Sequence, residues 1–170
     1  GATTTNASTI YGNLFKSNGS FKLPFAASYK GGSAVYTLNI YALNIGEINQ
    51  NENTFDVVGN AVYAENSYTH VVNNTIKNMD GSAIFFRNKT ILQNSRTLFA
   101  VFARMHVKDN TFEGTMPHAI YGFGQLEAET NIFKNRNANS PTIWVRELGP
   151  NSYVYDNDFE PQLNATTHVT

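Results

Sequence analysis

The triplet Asn-x-(Phe or Ile) recurs six times along this chain, as Asn13 with Phe15, Asn53 with Phe55, Asn74 with Ile76, Asn110 with Phe112, Asn131 with Phe133 and Asn157 with Phe159. Successive copies lie 40, 21, 36, 21 and 26 residues apart, so a floor of 21 is filled out by insertions of uneven length. A helical solenoid would hold a near-constant spacing of roughly 33 to 47 residues and show a 3.6-residue hydrophobic period. A short repeat with variable loops instead reads as a β-solenoid.

Two further columns keep step with the triplet. Ala34-Val35-Tyr36, Ala61-Val62-Tyr63, Ala83-Ile84-Phe85, Ala119-Ile120-Tyr121 and Thr142-Ile143-Trp144 follow their Asn by 21, 8, 9, 9 and 11 residues, and Val71, Val107 and Val154 precede Asn74, Asn110 and Asn157 by three. Three short strand-like segments per repeat, separated by turns, describe one coil of an all-β, right-handed parallel β-helix. An antiparallel sandwich also has short alternating strands, but it does not generate three columns in register. The expectation is a single domain over 1–170 with about five to six coils, one long insertion near 88–106, and extended terminal segments at 1–12 and 161–170.

Stacking gives each column a physical role. Parallel coils lie ~4.8 Å apart, so like residues meet above and below. An inward Asn at a corner can pass a side-chain amide hydrogen bond to the next, as amide ladders do in cross-β stacks, and so satisfy buried polar groups. Asn53, Asn74, Asn110, Asn131 and Asn157 are therefore read as a structural ladder. The Phe or Ile two residues on fills the interior.

Strand alternation then assigns faces. With Val35, Val62, Ile84, Ile120 and Ile143 inward, Tyr36, Tyr63, Phe85, Tyr121 and Trp144 point outward, followed two residues later by Leu38, Glu65, Arg87, Phe123 and Arg146. The opposite register would bury Glu65, Arg87 and Arg146 as unpaired charges, at a cost of several kcal/mol each. The result is an outward aromatic stripe roughly 19 Å long beside a mixed charged column. Flat aromatic faces with Arg and Glu alongside suit sugar rings, which makes Tyr36, Tyr63, Phe85, Arg87, Tyr121, Trp144 and Arg146 the candidate glycan-binding residues. Two other readings stay open: the insertion, with Leu98, Phe99, Val101 and Phe102, folds over the stripe, or the stripe is a subunit interface.

Composition excludes several functions. Twelve basic and thirteen acidic residues are scattered along the chain, leaving no footprint for nucleic acid. The chain lacks cysteine, which removes disulfides, thiolate metal sites and cysteine nucleophiles. No apolar run approaches the ~18 residues of a membrane span. The chain has no HExxH or paired-His motif; His70, His106, His118 and His168 read as strand-end or loop residues without metal spacing. DNDFE offers Asp156 and Asp158 as a weak Ca²⁺ site, short of the ligand count of a calcium loop. Lys89, Arg104, His106 and Lys108 supply basic groups near one edge, but no spacing assembles them into an acid–base pair.

The segments VVNNTIKNMDGSAIFFRNK and VKDNTFEGTMPHAIYGFGQLEAETNIFKNRNANSPTIWVRELGPNSYVYDNDFE resemble the C-terminal β-helix region of polysaccharide lyase family six, the alginate lyases and chondroitinase B, within the pectate-lyase-like superfamily. The likeness covers about residues 45 to 160. It departs at Arg87-Asn88-Lys89, where the family carries a Gly-rich turn. The family's Ca²⁺-assisted Lys and Arg chemistry belongs to its N-terminal β-helix, so no catalytic residue carries over. The resemblance implies a secreted, non-catalytic module that binds acidic polysaccharide or supports a lyase. The alternatives are a fibre subunit assembling with copies of itself by coil stacking, or with the rest of a longer β-helix, and a small polysaccharide lyase.

Overall fold

A computed structural model describes residues 8–16, 32–56, 59–88, 91–93, 96–99, 103–136 and 140–160, with side chains outside 91–99 and 135–136. The described chain is all β. It makes five passes that each visit the same three sheets in the same order, and begins a sixth. The first pass is β1 (Ser8–Ile10), β2 (Leu14–Lys16) and β3 (Ser33–Leu38), and the second is β4 (Leu43–Ile45), β5 (Asn53–Asp56) and β6 (Asn60–Glu65). The third is β7 (Tyr68–Val72), β8 (Asn74–Lys77) and β9 (Ile84–Arg87), after which β10 (Ile91–Gln93) and β11 (Arg96–Phe99) pair as an antiparallel hairpin. The fourth is β12 (Arg104–Lys108), β13 (Thr111–Thr115) and β14 (Ile120–Phe123), and the fifth is β15 (Gln125–Glu129), β16 (Ile132–Arg136) and β17 (Ile143–Arg146). β18 (Tyr153–Tyr155) and β19 (Asp158–Phe159) open the sixth.

Strands of like position stack into three parallel sheets: β1-β4-β7-β12-β15-β18, β2-β5-β8-β13-β16-β19 and β3-β6-β9-β14-β17. This regular stacking is compatible with a β-solenoid. No helix among the described residues is long and apolar enough to cross a membrane.

The three columns are the three registers. Ile10, Ile45, Val71, Val107, Ala128 and Val154 align in the first sheet. Phe15, Phe55, Ile76, Phe112, Phe133 and Phe159 align in the second. Val35, Val62, Ile84, Ile120 and Ile143 align in the third. Apart from Val154, which is exposed, the three columns meet in one apolar core. Phe112 stacks on Phe133 at 4.9 Å, and Phe133 on Phe159 at 4.8 Å, the repeat of the sheet itself.

In the third to sixth passes the chain turns from the first sheet to the second within one left-handed residue. Asn73, Asp109, Thr130 and Asp156 have φ of 54°, 54°, 54° and 51°, each directly before a ladder asparagine. Asn and Asp tolerate that conformation. Thr130, β-branched, does not favour it, and its hydroxyl donates to Asp109 Oδ1 at 2.5 Å. The asparagine after each corner then runs the ladder. Nδ2 of Asn13, Asn53, Asn74, Asn110 and Asn131 donates to Oδ1 of the next rung at 3.2, 2.8, 2.9, 3.0 and 2.8 Å, ending at Asn157. The same Oδ1 accepts the preceding rung's backbone N–H at Asn53, Asn110, Asn131 and Asn157. The corner amides are thus satisfied by the repeat itself.

Two expected boundaries move. Ser8–Ile10, expected in an extended terminal segment, is β1. The insertion ends by residue 103, because Arg104–Lys108 is a full strand in register with Tyr68–Val72 and Gln125–Glu129. Its alternating outward charges had disguised it. Residues 1–7 and 161–170 lie outside the described residues.

Candidate functional site

The expected stripe exists as a register, with Tyr36 opposite Tyr63, Tyr63 opposite Phe85, Phe85 opposite Tyr121 and Tyr121 opposite Trp144. Its exposure does not follow the expectation. Tyr36 is 43% exposed, whereas Tyr63 and Phe85 are at 0% and 1%. They lie on the outer face of the third sheet yet are covered, so neither can meet a ligand. Neighbouring rings crowd them: Tyr63 sits 5.5 Å from Tyr36 and 4.8 Å from Phe85, and Phe85 5.3 Å from Tyr121. The Arg87 guanidinium lies 5.9 Å from the Tyr63 centroid. The Leu98 and Phe99 side chains and residues Val101 and Phe102, expected to fold over the stripe, lie outside the described residues.

Glu65 is also covered, at 0% exposure, but it is not unpaired. Its carboxylate accepts from Arg87 Nε at 2.7 Å and from Arg87 Nη2, from the Tyr36 hydroxyl at 2.8 Å and from the Tyr63 hydroxyl at 3.4 Å. Arg87 is therefore committed to a buried ion pair that closes the middle of the stripe.

Besides Tyr36 at one end, what remains open is the C-terminal end of the stripe. Tyr121 and Trp144 are half-buried with centroids 5.2 Å apart, and Phe123 lies 5.6 Å from Tyr121. Exposed Arg146 places its guanidinium 5.7 Å from the Trp144 centroid and 6.0 Å from that of Phe123. Among the described residues no carboxylate pairs with Arg146. His118, nearly buried, backs the patch 5.3 Å from both Tyr121 and Trp144. Its Nδ1–H donates to the Pro141 carbonyl at 2.7 Å, since a carbonyl only accepts. Burial holds its pKa below the ordinary 6.5, against the pull of that carbonyl.

A second cluster covers the outer face of the first sheet, where β7, β12, β15 and β18 bring together residues distant in sequence. His70 and His106 sit at strand centres, not strand ends, and face each other in register. The Arg104 guanidinium lies 4.4 Å from the Tyr68 ring centroid, and its Nε donates to Glu127 Oε1 at 2.6 Å. Glu129 accepts from His106 Nε2 at 3.2 Å, pairs with Lys108 Nζ at 3.1 Å and accepts from the Tyr155 hydroxyl. Because His106 Nε2 carries the proton given to Glu129, a neutral His106 must accept at Nδ1, and His70 Nδ1–H donates to it across 3.2 Å. The Tyr155 hydrogen bond, with Lys108 and His106 adding, lowers the Glu129 pKa to about 2. The same bond pushes Tyr155 up to about 12. Burial first, and the neighbouring His106 second, lower His70 from its ordinary 6.5.

Beside this cluster, Arg104, Gln125, Glu127, Asn151, Ser152 and Tyr153 line an open depression of about 590 Å³. Of the basic groups anticipated near one edge, Arg104, His106 and Lys108 are here; Lys89 lies outside the described residues. The signal that could have found the rest is alternation in RMHVK and QLEAE, five-residue strands with every second residue charged or polar.

Asp156 and Asp158 flank Asn157, both exposed, Asp156 as the left-handed corner and Asp158 as an outward strand residue. Among the described residues no group of three or more His, Asp or Glu stands close enough to hold a metal ion. His168 lies outside the described residues. Compared with protein-family models, curated proteins and solved structures, the chain matches none.

Proposed function

We propose that this chain is a secreted, non-catalytic module with a closed right-handed β-helix of the pectate-lyase-like kind, and that it binds acidic polysaccharide at the open end of the aromatic stripe. The observation that carries this reading is Arg146, an exposed guanidinium lying over Trp144 and Phe123 with no carboxylate partner among the described residues. Rings of that kind stack on the apolar faces of pyranoses, and an uncommitted guanidinium takes a uronate carboxylate in bidentate fashion. Secretion belongs to the same reading, through the resemblance to family six lyases.

The charge balance of the two faces favours this patch over the first sheet. There Arg104 is taken by Glu127 and Lys108 by Glu129, leaving no cation uncommitted to a uronate. That cluster also makes a poor lyase centre. A lyase centre needs a cation to neutralise the uronate carboxyl, and both cations there are already paired with carboxylates.

Affinity electrophoresis in gels containing alginate or a neutral glucan tests the proposal. Alginate should retard the wild-type chain more than glucan does. Arg146→Ala should abolish that difference, and Trp144→Ala should weaken retention on the order of tenfold. An unretarded wild-type chain sinks the reading. Release of unsaturated product absorbing in the ultraviolet would replace it with a lyase.

A further inference from the structure

On the outward face of the second sheet, one column of charges alternates in sign from end to end. Register sets Lys16 opposite Asp56, Asp56 opposite Lys77, Lys77 opposite Glu113 and Glu113 opposite Lys134. Lys134 Nζ then lies 3.8 Å from Glu160 Oε1, as Lys77 Nζ lies 3.4 Å from Glu113 Oε2. Opposite charges directly across neighbouring strands attract, and like charges repel. The column starts on an exposed cation and finishes on an exposed anion.

The amide ladder is polarised along the same axis. Inner rungs such as Asn110 accept at Oδ1 from both the backbone N–H and Nδ2 of the preceding Asn. At the first rung, Asn13 donates onward to Asn53, and its own Oδ1 has no donor among the described residues. At the last, Asn157 Oδ1 is taken by Asn131, while its backbone N–H has no acceptor among them. One end lacks a donor, and the other lacks an acceptor. The interior ring column reaches both ends, with Phe15 on Phe55 at 4.7 Å and Phe159 on Phe133 at 4.8 Å.

A single register joins all three features. Phe15 and Lys16 follow Asn13 by two and three residues, as Phe159 and Glu160 follow Asn157. We propose that a second copy of this chain stacks its first pass on the last pass of the first copy, setting Lys16 beside Glu160 and Asn13 on Asn157. Such a head-to-tail contact does not close on itself, and it propagates as a filament.

Sedimentation velocity over a concentration series tests this on the whole chain. The wild type associates with increasing concentration, less so in high salt. K16E alone and E160K alone each set like charges across the contact and lose on the order of fivefold in association constant. An equimolar mixture of the two recovers it, because the reversed end of each variant meets the reversed end of the other, and the unreversed ends likewise meet each other. Both positions are exposed, so far-UV circular dichroism is unchanged. A wild type that stays monomeric, single variants that associate like the wild type, or a mixture no better than either alone would each overturn the proposal. None of these readouts involves glycan.

Discussion

At the scale of single residues, the decisive question about each charge is whether a partner stands beside it. Arg87 and Arg146 occupy the same column of the third sheet, separated only by Phe123. One is spent on Glu65, and the other is uncommitted; sequence alone makes them equivalent. Removing Arg87 strands a fully buried carboxylate, so Arg87→Ala should destabilise the fold by about 3 kcal/mol in urea unfolding, with the Tyr36 hydrogen bond limiting the loss. A change under half that size would mean Glu65 reaches water. Glu129 makes a prediction in pH. Its folded pKa, at about 2, lies below the ordinary 4.5, so its contribution to stability is present above the ordinary value and is lost as pH falls toward 2. Water at the rim of the cluster screens the gain to on the order of 1 kcal/mol. His70 is also depressed, and it withdraws stability as pH falls below about 6.5. Thermal melts from pH 7 to 2 should fall in two stages. Glu129→Gln should flatten the lower stage and His70→Gln the upper, and a variant melting in parallel with the wild type would remove that residue from the account.

At the scale of the element, the unit is a column. An asparagine in mid-ladder differs from one at its end. Asn110 is 1% exposed, donates to the Val71 and Lys108 carbonyls and to Asn131, and accepts twice from Asn74. Asn110→Ala should therefore cost about 3–5 kcal/mol, and Asn157→Ala, at a half-exposed rung, about 1–2 kcal/mol. Chemical denaturation of the pair reads the difference, and equal costs would mean the amides act singly. Gly122 marks a second constraint, since a Cβ there would collide with the Phe86 ring in the strand beside it. Gly122→Ala should cost about 1–3 kcal/mol by overpacking. The columns were legible because stacking repeats the same demand every pass, and a repeated demand leaves a repeated residue. Val107 was legible in the strand Arg104–Lys108 by its place three residues before Asn110, but the start of that strand at Arg104 was not, since LFAVFA before it carries no alternation. Nor was the cluster around Glu129, which needs the registers of β7, β12, β15 and β18 before His70, His106 and Tyr155 can be brought together. The burial of Tyr63 and Phe85 escaped for a related reason: alternation tells which face a ring is on, but not whether that face is covered.

At the scale of the whole molecule, passes touch only their neighbours, so stability is close to a sum of pass energies and nearest-neighbour contacts. Inner passes have two neighbours, and outer passes have one. Amide hydrogen exchange should be slowest in Tyr68–Val72 and Arg104–Lys108 and should quicken toward Ser8–Ile10 at one end and Tyr153–Tyr155 at the other. The profile should also respond to where a contact is broken. Asn110→Ala removes the rung of the fourth pass and cuts the ladder on both its sides, so its loss of protection should peak in Thr111–Thr115, follow in Asn74–Lys77 and Ile132–Arg136, and decay outward. A single cooperative core would instead lower protection by the same amount everywhere, and that uniform response would rule out the one-dimensional description. Head-to-tail stacking makes the profile depend on concentration as well. A molecule inside a stack has no outer pass, so Ser8–Ile10 and Tyr153–Tyr155 should slow toward the inner values as concentration rises, while Tyr68–Val72 stays constant. K16E should hold the terminal strands at their dilute rates, and mixing it with E160K should slow them again. Terminal rates indifferent to concentration would leave a finite solenoid with frayed ends, whatever the sedimentation profile.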